Sequence, residues 1–62
     1  MLEALKKRYE AQVAEGIAAV NFYLNHPVGI GEHPQHLDEI DKLLDKIKEA
    51  EEKISLIERW VK

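Results

Sequence analysis

The sequence predicts an all-α fold: a two-helix antiparallel hairpin that dimerises into a four-helix bundle. Three observations lead there. One block, Asn25-His26-Pro27-Val28-Gly29-Ile30-Gly31-Glu32-His33-Pro34, holds both prolines, two of the three glycines and two of the three histidines, and cannot be helix. The stretches on either side are long and carry apolar residues at helical spacing. The first of them is apolar on two faces, more than one partner helix can cover. The 62 residues therefore form a single domain, with a helix at about 2–25, a connector at about 26–33 and a second helix at about 34–61.

The second helix has the clearer pattern. Ile40, Leu43, Ile47, Ala50, Ile54, Ile57 and Val61 alternate spacings of three and four, the heptad seam of packed helices. Leu37 and Leu44 widen the stripe at heptad position e, and Leu56 and Trp60 lie off the seam. Pro34 suits the first helical turn, where its missing N–H had no partner anyway. Asp38, Glu39 and Asp41 lie near the start and Arg59 and Lys62 near the end, the signs that the helix dipole favours. Asp38–Lys42, Glu49–Lys53 and Glu58–Lys62 have the spacing of stabilising i,i+4 ion pairs.

In the first helix, Leu2, Leu5, Tyr9, Val13, Ile17, Val20 and Leu24 form the stripe expected to face the second. Ala11, Ala14 and Ala18 make another line, joined by Gly16, Ala19 and Phe22. A glycine costs about 1 kcal/mol of helix propensity relative to alanine, so Gly16 suggests that another backbone approaches closely there. The second line, with Phe22, is the expected interface with another copy or another protein. Trp60 is expected either to pack on Leu2 and Leu5 or to contact a partner, packing being preferred.

Between the helices, Gly29 and Gly31 can take the positive φ of a chain reversal, and Val28 and Ile30 would cover the end of the hairpin core. His26, His33 and His36, with Glu32, are candidates for a transition-metal site. They fit no recognised ligand spacing, so capping or solvated histidines are the reading preferred. A zinc titration without heat would end the metal reading. Gly29-Ile30-Gly31 before a helix could cradle a phosphate, but the lysine and hydroxyl residues of a phosphate loop are missing.

Composition excludes several classes. There is no cysteine, so neither a disulfide nor a thiolate metal site stabilises this small chain. The net charge of −3 and the acidity beside Lys6-Lys7-Arg8 point away from nucleic acid. The most apolar stretch, Ile17 to Leu24, is far short of the roughly 20 residues of a membrane span. The start does not resemble a signal peptide, so a cytoplasmic location is expected. Ser55 is the only serine, threonine is absent and no nucleophile–base pair is visible, so neither an enzyme nor a cofactor is expected.

From Asn21 through the connector to His33, and on into Leu37-Asp38-Glu39-Ile40-Asp41, the chain resembles small uncharacterised proteins of large tailed bacteriophages, including marine cyanobacterial ones. The shared feature is a Pro-Val-Gly-Ile-Gly-Glu-His connector, here Pro27 to His33, and the resemblance extends over roughly Asn21 to Ile54. Those proteins more usually have Asn before the proline, where this chain has His26. The resemblance implies a hairpin, a viral origin and the cytoplasm of an infected host cell. It implies no activity.

The resulting expectation is a non-catalytic interaction or assembly module, a homodimer that binds a host or viral protein. The alternative is a ligand- or metal-binding module built on the connector. Ile47→Asp tests the seam. A carboxylate buried without a partner costs on the order of several kcal/mol, a large share of what so small a domain has. The variant should lose its cooperative thermal transition, and a melt like that of the wild type would show the heptad assignment to be wrong.

Overall fold

The structure, a computed structural model, describes residues 1–25 and 34–61. Two helices account for almost all of them, α1 over Leu2–Asn25 and α2 over Pro34–Trp60, and no strand occurs among the described residues. Helical bonding begins at the start of the chain, where the Leu5 N–H donates to the Met1 carbonyl, and the Val61 N–H extends α2 by donating to Ile57. α1 ends at Asn25, one residue before the His26-Pro27 step that disfavours α geometry. α2 opens on Pro34, so its first turn carries no carboxylate. Asp38, Glu39 and Asp41 sit a turn too late to act on the dipole, whose effect fades within the first turn.

The helices run antiparallel. Lys6 meets Glu58, Tyr9 meets Lys53, Gly16 meets Ile47 and Tyr23 meets His36, so α1 ascends as α2 descends. The result is a rod of 48 × 14 × 13 Å. Its radius of gyration is 14.6 Å, against about 10.5 Å for a globular domain of this length. Two cylinders in contact share only one line, so the core is thin. Ala50 at 3% exposure and Ile57 at 8% are its buried apolar residues, and no described side chain is fully enclosed.

On α2 the seam is the expected one: Ile40, Leu43, Ile47 and Ile54 are half-buried alongside Ala50 and Ile57. Val61, at the fraying end, is exposed. On α1 the expected stripe is corrected. Leu5, Tyr9, Val13 and Val20 face α2, but Leu2, Ile17 and Leu24 are exposed, and Gly16 and Tyr23 occupy the seam instead. The contacting line thus runs 9, 13, 16, 20, 23, keeping the alternation of four and three that holds one face toward a partner helix.

Gly16 explains the shift. A Cβ built there would lie 2.6 Å from Cγ1 and 3.0 Å from Cδ1 of Ile47. The close neighbour is therefore a side chain of α2, and not another backbone on the second face of α1. The missing Cβ lets Ile47 drop between the helices midway along the rod.

The expected ion pairs are also redistributed. Lys42 lies 3.7 Å from Glu39 rather than on Asp38, Lys53 reaches across to the Tyr9 ring, and Glu58 bonds Lys6 of α1. Lys62 lies outside the described residues. Lys48–Glu52, at 3.9 Å, adds one exposed pair along α2.

Gly16→Ala should lower the melting temperature even though alanine is the better helix former. Overpacking costs about 1–3 kcal/mol, against about 1 kcal/mol gained in propensity. Cγ1 of a β-branched residue in a helix cannot swing away freely. In an Ile47→Ala background the same change should become neutral or stabilising, and a cost that persisted there would mean that Ile47 is not the obstacle.

Candidate functional site

The hairpin has two long edges, and the outer faces of its helices differ from both. One edge is a groove of about 570 Å³. Its floor is Gly16 and Ala50, two small buried residues whose lack of bulk creates the depth. Gln12 and Glu15 of α1 and Lys46, Glu49 and Lys53 of α2 line its sides. The Lys53 ammonium sits 5.2 Å from the centre of the Tyr9 ring, a cation–π contact across the helices. The groove is open along its length, and Tyr9, Ala19 and Leu43 add apolar surface between the charged side chains. It contains no pairing of nucleophile and base.

The opposite edge is marked by the Lys6–Glu58 bridge, 3.3 Å long. Glu58 holds the Lys6 ammonium above its ordinary pKa of 10.5, first by their hydrogen bond and then by charge, with Glu10 and Glu3 adding smaller contributions of the same sign. From Lys6, steps of 11 and 18 residues lead along the same side of α1 to Ile17 and Leu24. From Glu58, heptad steps lead back along α2 to Glu51, Leu44 and Leu37. Ile17, Leu24, Leu37 and Leu44 are all exposed. This edge is thus ionic in the half near the chain ends and apolar in the half near the connector.

The residues expected to form an interface lie elsewhere. Ala11, Ala14 and Ala18 are exposed on the face of α1 turned away from the α2-facing line. Phe22 stands on the same side, 60% exposed, with its ring edge-on to Tyr23 at 6.1 Å. Trp60 is 78% exposed, which corrects the expectation that it packs on Leu2 and Leu5. Leu2 is itself exposed, and near the chain ends two helices have no third element to trap a large ring.

Of the three histidines, His26 and His33 lie outside the described residues, as do Glu32, Val28, Ile30 and the Gly29-Ile30-Gly31 segment. His36 is half-buried and packs edge-on against Tyr23 at 5.2 Å. Among the described residues no group of three potential metal ligands occurs, and no helix is long and apolar enough to cross a membrane. Compared with protein-family models, curated proteins and solved structures, the chain gave no significant match.

What sequence patterning missed is the apolar edge. Leu37 and Leu44 were visible as a widened stripe, but Ile17 and Leu24 read as seam residues because a leucine and an isoleucine outrank a glycine and a tyrosine in any hydrophobic count. Gly16, one residue from Ile17, was the available signal.

The raised Lys6 pKa gives the bridge a defined pH window. Its stabilisation is complete below pH 10.5 on the alkaline side and is lost as pH climbs through the raised value. The melting-temperature gap between wild type and Glu58→Gln should therefore hold from neutral pH to near 10.5 and close above it. High salt should narrow the gap at every pH.

Proposed function

We propose that this chain is a non-catalytic protein–protein interaction and assembly module that works as a homodimer, its two hairpins forming a four-helix bundle. The observation that carries the reading is the amount of apolar surface a hairpin leaves uncovered. Ile17, Phe22, Leu24, Leu37, Leu44, Leu56 and Trp60 are exposed, while among the described residues Ala50 and Ile57 are the buried apolar ones. A chain of this length with no cysteine to cross-link it needs a larger core than that to be stable by itself. Paired hairpins supply one, since four helices enclose a central volume that two cannot.

The resemblance of residues 21–54 to bacteriophage proteins supports placing the module among small phage accessory proteins, acting in the cytoplasm of an infected cell on a host or viral protein. Ala11, Ala14, Ala18, Phe22 and Trp60 are the surface available to that second partner. The openness of the groove, which leaves little enclosed surface for a substrate, supports a role without catalysis.

Two experiments together test the proposal. Light scattering of the pure protein over a wide concentration range should give twice the chain mass of 7.2 kDa. Cross-linking in infected-cell lysate through a photoreactive residue at Phe22 or Trp60 should trap one discrete partner. A stable monomer that traps nothing would remove the basis for an interaction module.

A further inference from the structure

No further inference is drawn: the strongest candidate, the groove between α1 and α2 floored by Gly16 and Ala50, mixes apolar surface with Lys46 and Lys53 set against Glu15 and Glu49, a balance of charge that selects no occupant, so nothing in the structure shows what covers it.

Discussion

The approach of Ile47 to Gly16 governs the geometry of this hairpin. Midway along two helices of 24 and 27 residues, one branched side chain occupies the space where the other helix has no Cβ. That contact sets how near the axes come, which residues of α1 face α2, and which are displaced to the flank. Ile17 and Leu24 are exposed because Gly16 and Tyr23 hold the line. The groove on the far edge has the same origin, since its floor is Gly16 beside Ala50.

A rod of two helices meets a limit that composition cannot change. One line of contact buries few residues, and here the buried apolar ones among the described residues are Ala50 and Ile57. Exposed ion pairs add little, because solvent screens them and ordering long side chains costs entropy. The Lys6–Glu58 bridge and the Tyr9–Lys53 contact therefore fix register more than they stabilise. Stability has to come from apolar area, and part of the uncovered area lies on the edge opposite the groove, at Ile17, Leu24, Leu37 and Leu44.

Much of this was legible in the sequence, and the parts that were not have physical causes. The two-helix architecture follows from the gap between helical patterns around Pro27 and Pro34. The α2 seam was readable because its seven apolar positions stand among Asp, Glu and Lys. In α1 apolar residues are spread too widely for periodicity to choose between neighbouring lines, and Ile17 was favoured over Gly16 by hydrophobicity when space decided the matter. Ion pairs were misplaced because spacing within a helix ignores the neighbour: Tyr9 competes for Lys53, and Lys6 for Glu58. Trp60 was expected to pack on Leu2 and Leu5 or to contact a partner, and it is exposed because near the end of a two-helix rod nothing among the described residues closes over it.

The antiparallel pairing also orders the way the chain comes together. Tyr23 and His36 are 13 residues apart along the chain, Gly16 and Ile47 are 31 apart, and Lys6 and Glu58 are 52 apart. The entropy lost in closing a loop grows with its length, so contacts beside the connector form most cheaply and the hairpin zips outward from them. Leu24 and Leu37 lie in the part that zips first, and Ile17 and Leu44 a heptad further on. Those exposed side chains are therefore positioned before the ends of the rod close.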